Sequence, residues 1–424
     1  MRISAIRRES SAGGERVAAD VVWEDCDRPA RRIFFEVPPE LGDGLSTDPE
    51  SFAVGCAVPA MSHGERRLAI EGSLCPRVRD GLSGAGTLLR SWHGETFTAI
   101  SIEPSGGFRA KTPASPVRPA LFLSGGVDSL YTLASNRTDF PLDHPASFRD
   151  AIVLRGFSFH PPDTSHANDV WRRSSTAVRT LASAAALSPI TMTTNLREIE
   201  PDFGLFARYF VLLLASAAHA LARRVTTASI AADLKIAALF PWGSHPLFHA
   251  LAGSSAVDVV ESGGERTRLE KVRALADHAD LLATVVVCQE GPLPGDVLNC
   301  GRCEKCVRTL VSLMIAGVPE AGRKAFAIRS VDAEAIDRLR RSVTPAATYF
   351  WAEIVAALEA SGSGELAAAG RRLIERSLRA GDWHAEKGWR GRARRFDRRH
   401  LNGALLRASR GIRALPRRVR SAFR

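Results

Sequence analysis

Residues 120–287 alternate short apolar runs with segments of helix length. Ala120–Leu123, Ala151–Phe157, Ile190–Thr194, Thr226–Ala232, Val257–Val260 and Leu282–Val287 read as six strands. Between them, Asp128–Ala134 starts a helix, Asp169–Ala186 and Leu205–Arg224 are helical, and Glu265–Asp280 is amphipathic. Continuous apolar strands separated by helices point to an α/β fold, a doubly wound parallel sheet with both faces covered. Residues 1–116 have a different pattern. Ile33–Val37, Phe52–Val58, Leu68–Ile70 and Phe97–Ile102 are short apolar stretches, separated by turn signals such as Pro38-Pro39, Gly42-Asp43-Gly44 and Ser83-Gly84. They predict a β-rich N-terminal domain. Ser105-Gly106-Gly107 and Pro113–Pro119 form a linker. Helices are expected around Ala333–Ser342 and Thr348–Ala360, and no internal repeat occurs. The expected organisation is 1–116, 117–319, a helical extension 320–380 and a basic tail 381–424.

Composition narrows this picture. A 424-residue chain that is 45% hydrophobic and 24% charged is globular and long enough for two or three domains. Its longest apolar stretch, Phe210–Ala222, is broken by His219 and reads as a buried helix rather than a membrane span. Met1–Glu15 contains no apolar signal core, so a cytoplasmic location is expected. The formal charge of +11 is uneven: residues 371–424 hold 18 Lys and Arg against 4 Asp and Glu, leaving −3 for the rest. With Trp383, Trp389, Phe396 and Phe423 among its arginines, and Leu401, Leu405, Leu406 and Ile412 at roughly helical spacing, the tail is a candidate contact for RNA or an anionic membrane. Only 6 of the 57 basic residues are lysines, so arginine identity carries little information by itself.

The most informative stretch is Leu121-Phe122-Leu123-Ser124-Gly125-Gly126-Val127-Asp128-Ser129. A strand enters a twin-glycine turn and a helix leaves it. Adjacent glycines permit positive φ and close backbone approach, and the amides of the turn and helix start make an anion site. Ser124 and Ser129 add hydroxyls. Asp128 is expected to cap the helix and to help orient a magnesium ion. No lysine follows the glycines, so this is not the Gly-X4-Gly-Lys loop.

The stretch resembles the pyrophosphate-binding loop of the ATP pyrophosphatase (PP-loop) superfamily, which includes GMP, asparagine, NAD and argininosuccinate synthetases, 7-cyano-7-deazaguanine synthase and tRNA thiolases. The resemblance implies a PP-loop/HUP-like sheet, Mg²⁺ and ATP as ligands, and cleavage of ATP between its α and β phosphates through an adenylated intermediate.

Seven cysteines are present, four of them clustered: Cys288, then Cys300, Cys303 and Cys306 in a C-X2-C-X2-C run. This pattern argues against a disulfide scaffold and for a thiolate metal site in a reducing compartment. Four cysteines suit a closed structural zinc site, and an iron–sulfur cluster is the alternative. A C-X2-C-X2-C after a PP-loop domain is similar to 7-cyano-7-deazaguanine synthase, where the zinc is structural. Asn299 through Cys306, followed by Val307-Arg308-Thr309-Leu310, also looks like a set of bacterial PP-loop proteins. The resemblance covers about residues 118–318. It departs from the deazaguanine enzymes in the long N-terminal region, the more distant upstream cysteine and the unmatched loop Pro241–Pro246, so a different substrate is expected.

Weaker candidates lie at strand ends. Asn195 and Asp233 follow the third and fourth strands and are candidates for nucleotide or substrate contact, or for capping. Ser244 and His245 sit in a Pro/Gly loop where a substrate pocket is expected. Arg268, in Thr267-Arg268, stands where PP-loop enzymes often carry Thr-Lys, and could neutralise phosphate. The combined expectation is an adenylating ligase that activates a carboxylate-type small molecule for attack by ammonia or an amine. A tRNA sulfurtransferase and a non-catalytic nucleotide-binding scaffold are the alternatives.

Overall fold

A computed structural model describes residues 1–157, 164–293, 295–339 and 345–379. The tail 381–424, with the proposed RNA or membrane contact, lies outside the described residues. Among the described residues, ten strands form one mixed sheet: β1 (Arg2–Ser11), β2 (Gly14–Val22), β3 (Arg31–Val37), β4 (Arg67–Ile70), β5 (Ser101–Pro104), β6 (Pro119–Phe122), β7 (Asp150–Arg155), β8 (Ser188–Thr194), β9 (Thr227–Ala231) and β10 (Asp258–Ser262). Their order is β10-β9-β6-β7-β8-β3-β2-β1-β4-β5.

The five strands β8-β7-β6-β9-β10 are all parallel. Numbered by sequence among themselves they run 3-2-1-4-5, the order of a doubly wound sheet, so the direction of winding reverses between β6 and β9. Crossover helices Val127–Asp139 and Ser165–Ala184 lie on one face; Phe210–Ala220 and Pro246–Ala252 lie on the other. Alternation within the strands supplies both cores: Ala120 and Phe122 of β6 join one, Leu121 and the following Leu123 the other. No helix among the described residues is long and apolar enough to cross a membrane. The candidate span is the buried helix Phe210–Ala220.

Two expectations are corrected here. Leu282–Val287 is not a sixth strand: a short helix, Ala279–Ala283, ends inside it and the remainder runs without a ladder. Residues 1–116 are α/β rather than β-rich. Phe52–Val58 belongs to the helix Glu50–Ser62, and a second helix occupies Pro76–His93. The first helix is buried from Glu50 to Met61, so it shows no amphipathic period and its apolar run mimics a strand. In the second, Gly81 is required, because a Cβ there would meet the Leu251 carbonyl oxygen at 1.9 Å.

This N-terminal part shares the sheet. β3 pairs antiparallel with β8 through Phe35–Thr194 and Glu36–Thr193. Helix Glu50–Ser62 packs on Phe210–Ala220, where a Cβ on Gly55 would lie 2.8 Å from Leu196 and 3.3 Å from Ser216. At the far end, helix Glu304–Ile315, together with Pro345–Ala360 and Gly364–Arg379, extends the core against which Val127–Asp139 packs.

Candidate functional site

β6 ends at Phe122, and Ser124–Ser129 crosses the top of the sheet beside β9, at the point where the winding reverses. A doubly wound sheet opens a crevice there. Gly125 is in the left-handed region, φ +76°. Gly126 caps helix Val127–Asp139, and no side chain accepts from the first amides inside that helix. The first amides of a helix have no intrahelical acceptor, so these donors face the crevice end of the helix. Ser124 Oγ accepts from the Gly126 amide at 3.2 Å and lies 3.3 Å from Ser129 Oγ, which donates to the Gly126 carbonyl at 3.0 Å. The two serines therefore brace the turn.

Asp128 does not cap the helix. Its carboxylate pairs with Arg268 on one oxygen and lies 3.6 Å from Lys271 Nζ on the other. Lys271 is fully buried and also donates to the Ala232 carbonyl at 2.6 Å. Thr267 and Glu270 close a capping box that fixes the start of helix Arg268–Leu275, and this places both cations beside the glycine turn. Arg268 thus lies beside the turn, and Lys271 is a second cation there that the sequence pattern did not single out.

Asp233, just past β9, faces the same crevice. Burial and the nearby Asp128 charge push its carboxyl up, while Ser244 Oγ (2.5 Å) and Trp242 Nε1 (3.1 Å) donate to its two oxygens. Glu261, near the end of β10, is pushed up to about 7 by burial and by Asp233. Ser244 therefore serves Asp233. His245 does not point into this group. It caps helix Pro246–Ala252 through Nδ1 to the Leu247 amide, 3.3 Å, and packs against Trp92 at 5.0 Å. Asn195 is also structural: its Oδ1 accepts from the Phe34 amide at 3.0 Å and its Nδ2 donates to the Arg32 carbonyl at 2.9 Å, tying the end of β8 to β3.

Cys288, Cys300, Cys303 and Cys306 bring their sulfurs within 4.8 Å of one another. Cys300–Cys306 is 3.8 Å and Cys288–Cys303 is 4.0 Å. A tetrahedron with bonds of about 2.3 Å has edges of about 3.8 Å, so these four can hold a metal such as zinc with little movement. Among the described residues they are the group of three or more potential ligands close enough to do so. Backbone amides already point at the sulfurs: Arg302 and Cys303 to Cys300 (3.4 and 3.3 Å), and Glu290 to Cys288 (3.4 Å). Gly301, φ +75°, makes this knuckle, and a Cβ there would meet Ile328 at 2.6 Å. Cys303 begins helix Glu304–Ile315. Buried Asn299 braces the approach, accepting from the Val287 and Cys288 amides at 2.8 and 3.0 Å and donating to the Val285 and Ala325 carbonyls at 2.8 and 3.0 Å.

The cysteine cluster and the glycine turn are joined. The segment that ends at Cys288 runs alongside the turn, with Val286 against Gly125. Comparison with protein-family models, with curated proteins and with solved structures finds no match to this chain.

Proposed function

We propose that the chain is an adenylating enzyme of the PP-loop type, with Ser124–Ser129 holding the departing pyrophosphate of ATP. The observation that carries this reading is the uncapped helix behind a twin-glycine turn, seated where the winding reverses and flanked by Arg268 and Lys271. Turn amides and helix dipole favour an anion there, and the two cations lower the cost of the charge that develops on the leaving phosphates. Binding in the crevice aligns an acceptor oxygen with the α phosphate, and most of the catalysis is positioning.

Asp128 is the balance for the two cations. Incoming phosphates compete with it for Arg268, which would leave the Asp128 carboxylate free to help orient a magnesium ion on those phosphates. Asp233, just past β9, and Glu261, on the adjacent β10, suit the amine side of the reaction: carboxyls with raised proton affinity can take a proton from an attacking ammonia or amine. The four cysteines bind zinc as a closed structural site, which supplies no open coordination position and fixes the backbone around it. With all four engaged, none of them is left as a sulfur carrier, and this favours a ligase over a sulfurtransferase.

The test is pyrophosphate–ATP exchange with pools of small carboxylic acids. Exchange that depends on one acid supports the assignment. Cleavage of ATP only to ADP and phosphate contradicts it.

A further inference from the structure

Helix Glu304–Ile315 leaves the cysteine cluster carrying Arg308, which is 5% exposed. Arg308 Nε donates to Glu304 Oε1 at 2.8 Å, and Trp351 Nε1 donates to the same oxygen at 2.9 Å. The arginine and carboxylate thus meet through one atom each rather than fork to fork. Arg308 Nη1 is left buried with no acceptor, and Glu304 Oε2 with no donor. A buried guanidinium edge without an acceptor is costly, and its natural complement is a planar or tetrahedral oxyanion.

Its neighbours say which ligand space it serves. Phe350 lies beneath two guanidiniums, Arg308 at 4.7 Å and Arg268 at 5.4 Å. Arg268 is the residue paired with Asp128 beside the glycine turn. The Asp128 and Arg268 charges both act on Arg308, and Lys305, one turn earlier on the same helix, feels Arg308 and Arg268. Arg308 therefore shares the Phe350 ring with Arg268, the partner of Asp128 beside the glycine turn.

We infer that Arg308 is an oxyanion-binding residue, its free Nη1 edge taking a phosphate or carboxylate oxygen of the ligand in the crevice. The identity of that ligand rests on the proposed ATP reaction; the subsite rests on the stranded donor.

The experiment is titration calorimetry on the full chain with three probes: ATP, inorganic pyrophosphate and acetate. The variants are Glu304→Gln, Arg308→Lys and the double variant Glu304→Gln/Arg308→Gln, which leaves no unpaired buried charge. Losing one charge-assisted hydrogen bond weakens binding by roughly tenfold or more. Expected is that loss in the double variant, a smaller loss in Arg308→Lys, and near wild-type affinity in Glu304→Gln. Loss for ATP and pyrophosphate together identifies a nucleotide phosphate as the oxyanion; loss for acetate alone identifies an acceptor carboxylate. Pyrophosphate binding that depends on Arg308 in a protein that does not bind ATP keeps the subsite and overturns the ATP reading. Failure of all three probes to bind, or equal binding by wild type and all variants, overturns the subsite. If the double variant melts early, Arg308→Lys, which keeps the charge, decides by the same criteria.

Discussion

The Val286 amide donates to the Gly125 carbonyl at 2.9 Å, two residues before Cys288. The cysteine cluster thereby holds one side of the glycine turn in place, and a structural clip becomes part of the geometry of the crevice. Cys303→Ser should lose the metal, lower the melting temperature and raise amide exchange in residues 123–127 as well as in 288–306. Metal analysis with hydrogen-exchange mass spectrometry checks this. Exchange that rises only around the cysteines would break the link.

Gly301→Ala and Gly125→Ala separate clip from turn. Both positions have positive φ, which costs a non-glycine residue about 1–2 kcal/mol. At Gly125 a Cβ meets Val178 and Val286 at an ordinary 3.5 Å, so the backbone term is the whole penalty. At Gly301 it collides with Ile328, so the loss of stability should be larger and metal should be released. Denaturant midpoints and zinc content give the comparison.

Asp128→Asn should remove the partner of Arg268 and the balance for buried Lys271. Stability should fall by about 1–3 kcal/mol, because a buried cation loses its counter-charge. Any pyrophosphate exchange should fall much further than ATP affinity. Equal losses in both would mean that Asp128 acts only through the fold.

Asn195→Ala should cost about 1–3 kcal/mol, since two hydrogen bonds between the end of β8 and β3 disappear. Nucleotide affinity should not change. A selective loss of binding would return Asn195 to the site.

Glu261 supplies a pH dependence. Its carboxyl is raised from 4.5 to about 7 by burial, Asp233 and Glu265, with Lys271 opposing. Between these values the folded chain holds a proton that the unfolded chain releases. Its contribution is therefore full below about pH 4.5 and is lost as pH rises through about 7. Glu261→Gln should flatten that part of the stability profile, as read from urea midpoints across the window.

The sequence showed the glycine turn and the cysteine cluster because both are local: a few residues at fixed spacing make each of them. It did not show β1 and β2, whose charged pattern (Arg7, Arg8 and Glu9 on β1) hides a strand pair that buries only part of each face. Nor did it reveal that Asn195 and His245 are capping and bridging groups, since their partners, Phe34 and Arg32, and Trp92, lie in the first hundred residues. Lys271 was hidden because its partners, Asp128 and Ala232, are far from it in sequence. It comes from the helix Arg268–Leu275 that follows β10, and only tertiary packing brings it beside Asp128.

Hydrogen-exchange mass spectrometry of the full chain with and without ATP tests the central claim most directly. ATP should slow exchange of the amides in residues 124–130, and AMP, which lacks the two outer phosphates, should not. If ATP binds while those amides exchange as before, the twin-glycine turn is not the pyrophosphate site.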